Sequence, residues 1–278
     1  MSWLAERRFR GQREEAKMEL QEVHELLIRY LRPQSNPVAV RLVRSLDEIP
    51  KRAKMPLRDM KRHVTVCQVL AMSRRYGWIM AIGEEDQACP WGSLTLGFVP
   101  AKQGLLDGSF DESRGYMEKE LAVADYQSIP RLEYGKYRYM LVSPINKAEF
   151  EPHLILVWGN PAQVARLIQG RVNETRGFIR SLGSVGIACA RTITGPLLED
   201  ECTFVVAGGG DRYFGLTQDH EMIFVMPWSK VEMTVKGLKE THDKLGWRYP
   251  TPSYLSFEVQ FPPRYREALA YLREKENE

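Results

Sequence analysis

The chain has 278 residues, is 44% hydrophobic and 27% charged, and carries a formal net charge of +3. It is long enough to bury a core as one large domain or two modest ones, and its 39 basic residues are so nearly matched by 36 acidic ones that nucleic acid is not an expected partner. No apolar run approaches the roughly 18 residues that span a bilayer, and the opening MSWLAERRFRGQREEAK lacks the apolar centre of a secretion signal.

In chain order, Glu14 to Leu31 predicts a helix, with Leu20, Val23, Leu26, Leu27, Tyr30 and Leu31 at spacings of three and four and a stop at Pro33. Pro37 to Val43 reads as a strand after a Ser-Asn-Pro turn. Residues 44–62 are rich in charge and proline and read as loop with a short helical turn. His63 to Gly77 predicts a helix closed by its glycine, and Trp78 to Gly83 a short strand. Pro90 suits the first position of a helix, which makes Cys89 its N-cap. Residues 100–113 read as loop, Met117 to Ile129 as helix, and Lys136 to Ile145 as strand.

The second half carries two units of one grammar. His153 to Gly159 is an apolar strand, followed by a helix capped by Asn160, with Pro161 first and Gln163 completing a capping box. Met222 to Met226 is the second strand, and Ser229 with Glu232 is expected to box the helix that follows. Trp228 and Met233 are placed as a hydrophobic staple. Between the units, Ser181 to Gly195 is rich in small residues and predicts a helix from Gly183. Proline-rich 250–263 reads as a connector to a final amphipathic helix. The expectation is an α/β or α+β fold, a mixed sheet with flanking helices, built as a single domain over 1–278 or as two interleaved lobes over about 14–150 and 151–278.

The chemistry gathers around Cys202 to Lys239. A strand, Thr203 to Ala207, empties into Gly208, Gly209, Gly210, Asp211 and Arg212. Glycines allow close backbone approach and an arginine offers a fork of donors. The stretch reads as an anion-binding corner, with Gly208, Gly209 and Gly210 as its backbone and Arg212 as its cation, or as a tight turn capped by Asp211. It fits neither the dinucleotide fingerprint nor the phosphate loop. His220, between Asp219 and Glu221, is a candidate acid or a solvated turn residue. His24 and His242 lie on charged helix faces.

Four cysteines are too few for a disulfide framework at this length and are expected as thiols or ligands. Cys67 falls on an inner helix stripe, and His63 four residues earlier would share its face. Cys89, at a helix start, is the thiol most open to activation. Cys189 suits a tight helix contact, and Cys202 precedes the central strand.

PVAVRL, Cys67-Gln68, Cys89 with Gly92 and Leu96-Gly97, the NPAQVARL helix start, Cys189, Gly210-Asp211-Arg212, and Glu221 before Pro227 occur in one order. Over residues 20–245 this set resembles the uncharacterised prokaryotic domain-of-unknown-function family known as ArCR. The resemblance implies a cytoplasmic protein and implies Cys67, Cys89, Cys189 and Cys202 as ligands of an iron–sulfur cluster or other metal. Here no cysteine adjoins Gly-Asp-Arg, a departure that bears on Cys202.

The leading expectation is a metal- or iron–sulfur-dependent redox enzyme, or a subunit of one, acting on a small anionic substrate held by Arg212, with Asp211 and His220 as catalytic groups. The alternatives are an anion-binding or regulatory protein with structural cysteines, and an accessory subunit whose charged N-terminal helix docks a partner. A homodimer or a partner subunit is expected, and no membrane.

Overall fold

The computed structural model describes residues 18–181, 183, 187–251, 259 and 261–273. The expected first turns of the opening helix and most of the proline connector lie outside them.

Helix α1 (Leu20–Leu31) buries Val23, Leu27, Tyr30 and Leu31 along one face and ends at Arg32, whose left-handed backbone turns the chain before Pro33. Strand β1 (Val38–Val43) follows. Helix α2 (Val66–Tyr76) is capped by a Thr65–Gln68 box and closed by Gly77 at φ +70°, where a residue with a Cβ would be strained. It starts three residues later than the sequence suggests. His63 therefore lies outside it, exposed, with Nδ1 2.9 Å from the Glu85 carbonyl, and does not share a helix face with Cys67.

Strand β2 (Met80–Gly83) leads to α3 (Pro90–Thr95), with Cys89 at the N-cap position. Residues 100–113, expected as loop, hold two single-turn helices, α4 (Gln103–Leu106) and α5 (Ser109–Glu112), ahead of α6 (Lys119–Ser128). Next come β3 (Tyr139–Pro144), β4 (Leu154–Gly159) and α7 (Pro161–Thr175). Helix α7 has the expected box: Gln163 N–H donates to Asn160 Oδ1 at 3.0 Å and Asn160 N–H to Gln163 Oε1 at 2.8 Å. Then follow α8 (Gly195–Glu199), β5 (Thr203–Val206), α9 (Gly209–Tyr213), β6 (Met222–Pro227), α10 (Trp228–Leu245) and α11 (Pro263–Arg273).

Two expectations are corrected here. The helix foreseen from Gly183 begins at Ala188 and runs through a wide turn at Ala190–Thr194 into α8. The Ser229–Glu232 box does not form, because α10 starts one residue earlier, at Trp228. The Ser229 hydroxyl instead donates to Asp200 Oδ1 at 2.5 Å, and Lys230 pairs with the other Asp200 oxygen at 2.8 Å.

The fold is mixed α and β: one six-stranded sheet, ordered β2-β3-β1-β4-β6-β5, with helices on both faces. All five ladders are antiparallel, and parallel contacts occur at isolated bridges such as Lys54 with Met80. β1 pairs with β3 on one side and β4 on the other, so both halves of the sequence share the sheet. Alternation then sorts the side chains. Val38, Val40 and Leu42 face α2 and the 190–194 turn, packing with Val66, Val69, Leu70 and Ile193. Ala39, Ile155, Val157, Phe224 and Met226 face α1, α7 and α10. Each such aliphatic side chain, taken fully from water, stabilises the fold by about 1.5–3 kcal/mol.

The related units β4–α7 and β6–α10 lie side by side, with Leu156 opposite Val225. Their helices cross backbone to backbone at two glycines: a Cβ on Gly237 would stand 2.1 Å from the Gly170 carbonyl oxygen, and one on Gly170 2.6 Å from that of Thr234. Arg166 spans the crossing, donating to Leu238 O at 3.1 Å and Thr241 Oγ1 at 3.0 Å, and burial brings its pKa down to about 10. Because backbone cannot yield as a side chain tip can, Gly237→Ala is expected to cost about 3 kcal/mol. Urea unfolding of the variant checks this, and a loss near zero would mean that the helices separate freely.

Candidate functional site

The glycine corner is built by a change of direction at the end of β5. β5 ends at Val206, Gly208 is extended, and α9 begins at Gly209. Asp211 turns back so that its Oδ2 accepts the Gly208 N–H at 3.2 Å, and its side chain is buried. Two of the glycines are packed against their neighbours, Gly208 too closely for a Cβ and Gly210 at ordinary contact distance. A Cβ on Gly208 would stand 2.3 Å from Arg191 Nη2, and one on Gly210 would stand 3.4 Å from Cys67 Sγ and 3.5 Å from the Ala188 Cβ. The corner therefore rests on the segments that carry Cys67 and Cys189.

Cys67, on the inner face of α2, and Cys189, before the wide turn, are buried, while Cys89 is half-buried. The three act on one another electrostatically. Burial pushes the Cys67 thiol well up, and the nearby Asp211, Cys189 and Cys89 charges push the same way. Burial, then Cys89, raises Cys189 to about 12. Cys202 stands apart. It is buried in the layer of α7 and α10, beside Arg171 and Thr234, and burial raises it to about 11. The sheet separates it from the other three, so it does not join them in one site. Among the described residues, no three His, Cys, Asp or Glu side chains are placed to share one metal ion.

Beneath the corner lies an ion network. Arg74, one helical repeat after Cys67 on α2, has no exposed side-chain surface. Its Nη1 donates to both Glu221 oxygens at 3.1 Å and its Nη2 to Leu216 O at 2.7 Å. Its guanidinium lies 4.7 Å over the Trp158 ring, and Trp158 Nε1 donates to Thr217 Oγ1 at 3.1 Å. Arg75 adds a bond to Glu221 at 3.0 Å, and Gln218 N–H another at 2.8 Å. The loop that leaves the corner is thus tied to the helix that carries Cys67.

The polar groups singled out in the sequence divide accordingly. Asp211 is inside. Arg212 and His220 are exposed, and Arg212 pairs with Asp219, away from the corner that it was expected to serve. The cation at the corner is Arg191. Sequence reasoning missed Arg191 and Arg74 and placed Glu221 only beside His220 and in the family motif, yet the two arginines each left a signal. Arg191 is the single charge in Ser181–Gly195, and Arg74 sits on the inner stripe of Cys67, Leu70 and Ala71 at helical spacing.

Two outcomes follow from these environments. Alkylation of reduced, metal-free protein near neutral pH, mapped by mass spectrometry, is expected to label Cys89 first, because the other three thiols are buried and burial disfavours their thiolates; earlier labelling of Cys67 or Cys189 would contradict the described burial. Glu221→Gln is expected to cost about 3 kcal/mol, since it leaves buried Arg74 without its carboxylate. Burial raises the Glu221 pKa, but bonds from Arg74 and Gln218 outweigh it and hold the group below the usual range. Its stabilisation is therefore full above the unfolded Glu pKa and is lost as pH falls through the lower folded value. Unfolding of wild type and variant across acid pH checks this: their difference should shrink only in acid, and a difference growing as pH falls would refute it.

Among the described residues, no helix is long and apolar enough to cross a membrane. No curated protein and no solved structure matches the chain. The model of the domain-of-unknown-function family described as Uncharacterised ArCR matches residues 26–237, a span that runs from α1 into α10 and takes in every residue of the thiol corner. The chain belongs to the Uncharacterised ArCR family.

Proposed function

We propose that the protein is a redox enzyme, or a subunit of one, whose working centre is the corner where Cys67, Cys89 and Cys189 meet Gly208–Asp211. The observation that carries this reading is the convergence of three cysteines from three distant segments on one glycine turn. Four free cysteines suit the reducing cytoplasm, where we place it.

The donor set is soft, as thiolate-binding metals and clusters require. A single ion needs its ligands drawn tightly around it, and no described trio is so placed. An iron–sulfur cluster holds its thiolates around a larger core, and Cys67, Cys89 and Cys189 are the residues that would hold one. Such a cluster would supply one-electron transfer.

The chain's own groups have definite roles beside it. Half-buried Cys89 is the open side of the trio. Burial raises the Asp211 pKa, against the Gly208 N–H and the Arg191 and Arg74 charges, so the Asp211 carboxylate takes up a proton at the corner more readily than an ordinary aspartate. Tyr213, Phe214 and Leu216, exposed on the same turn, offer an apolar rim for substrate or a partner subunit. The raised pKa values of Cys67 and Cys189 favour a second reading, in which the thiols are structural and the protein binds a small anion without chemistry.

Anaerobic reconstitution with iron and sulfide separates the two. The first reading expects a brown protein absorbing near about 400 nm, lost in Cys67→Ser, Cys89→Ser or Cys189→Ser and kept in Cys202→Ser. Because loading releases thiol protons, it should strengthen as pH rises. Failure to bind iron, with all four variants like wild type, would leave the anion-binding reading.

A further inference from the structure

Arg191 is buried, with 7% of its side chain exposed, yet its guanidinium is poorly satisfied. Nη1 donates to Val206 O at 3.3 Å, Nη2 reaches Asp211 Oδ2 only at 3.5 Å, and Nε has no partner among the described residues. Arg74, next in the same network, also has an Nε without a partner among the described residues, but both of its terminal nitrogens are well held, by two carboxylate oxygens at 3.1 Å and a carbonyl at 2.7 Å. A buried donor left unmade costs about 1–3 kcal/mol, so the free edge of Arg191 calls for an acceptor.

Geometry and charge together name that acceptor. Nε and Nη2 form one edge of the guanidinium fork, and two parallel N–H groups match the two oxygens of a carboxylate. The guanidinium lies against Gly208, where no Cβ intervenes. Asp211 Oδ2 is already held by the Gly208 N–H at 3.2 Å, so it can give up the long contact to Arg191 and keep a partner. Around the corner, Arg74, Arg75 and Arg191 face two carboxylates among the described residues, Glu221 and Asp211. Arg212 is neutralised outside by Asp219. One positive charge is left over, which suits a monoanion.

We propose that Arg191, and not Arg212, is the recognition residue of the corner, and that its ligand is a small monocarboxylate bound edge-on through Nε and Nη2. This rests on the reading above only in taking the corner as the place where substrate meets the thiols.

The test uses reduced, metal-free full-length protein, titrated with formate and acetate, with chloride and sulfate as controls. Carbon-13 line broadening of the carboxylate and the shift in thermal unfolding report binding. Wild type and Arg212→Gln are expected to bind formate or acetate saturably and alike. Arg191→Lys, which keeps the charge and loses the fork, should bind at least tenfold more weakly. Gly208→Ala, which puts a Cβ where Nη2 lies, should show the same loss with the arginine intact. The proposal is overturned if Arg212→Gln alone removes binding, if sulfate or chloride binds as well as the carboxylates, or if no saturable binding is seen. Reconstitution of Arg191→Lys with iron and sulfide keeps the two ideas apart. Carboxylate binding without any cluster removes only the cluster reading, and a cluster in a wild type blind to carboxylates removes only this one.

Discussion

The charge of Arg74 must be answered inside the protein. Its side chain has no exposed surface, and burial lowers its pKa against the opposing pull of Glu221. Such a pair contributes little net stability against an apolar replacement, because desolvation of both charges offsets their attraction. Its value is geometric. Glu221 meets Arg74, Arg75 and the Gln218 N–H at once, and Arg74 also holds the Leu216 carbonyl. A loop from Gly215 to Glu221 with those anchors has few alternative paths, and the corner upstream of it inherits the constraint.

The corner sets two opposing effects against each other. Burial of Cys67, Cys189 and Asp211 favours their neutral forms, while the guanidiniums of Arg191 and Arg74 favour charge on Asp211. In the metal-free protein burial wins, and the thiols keep their protons. The positive charge beside Asp211 is already in place. Preorganised charge of this kind costs little reorganisation when it is used.

The other face of the sheet shows how the scaffold stays rigid. The α7 and α10 helices cross with Gly170 and Gly237 in backbone contact, and the Arg166 side chain binds the end of α10 across that crossing. Close approach of two helices to neighbouring antiparallel strands fixes β4 against β6. β5, which delivers the glycine corner, pairs with β6 alone among the described strands, so the position of the corner depends on that packing.

Local rules determined much of this protein from sequence alone. Leucine and valine spacing marked α1, α7 and α10. Asn160-Pro161 with Gln163 specified the start of α7, and Pro90 placed Cys89 at the head of α3, because capping and proline geometry act within a few residues. The glycine turn after β5 was legible for the same reason. Tertiary structure decided what local rules do not reach. It paired every ladder antiparallel, which depends on connections over long separations. It gave Asp200 the hydroxyl of Ser229, which the sequence assigned to a cap. It sent Cys202 to the opposite face, since one residue of register decides the side of a sheet. Above all it exchanged the arginines: Arg212, adjacent to the glycines, faces water, and Arg191, from a distant turn, lies against them. Adjacency in a chain says little about which charge is buried, because burial is settled by the packing of segments that meet only when the sheet forms.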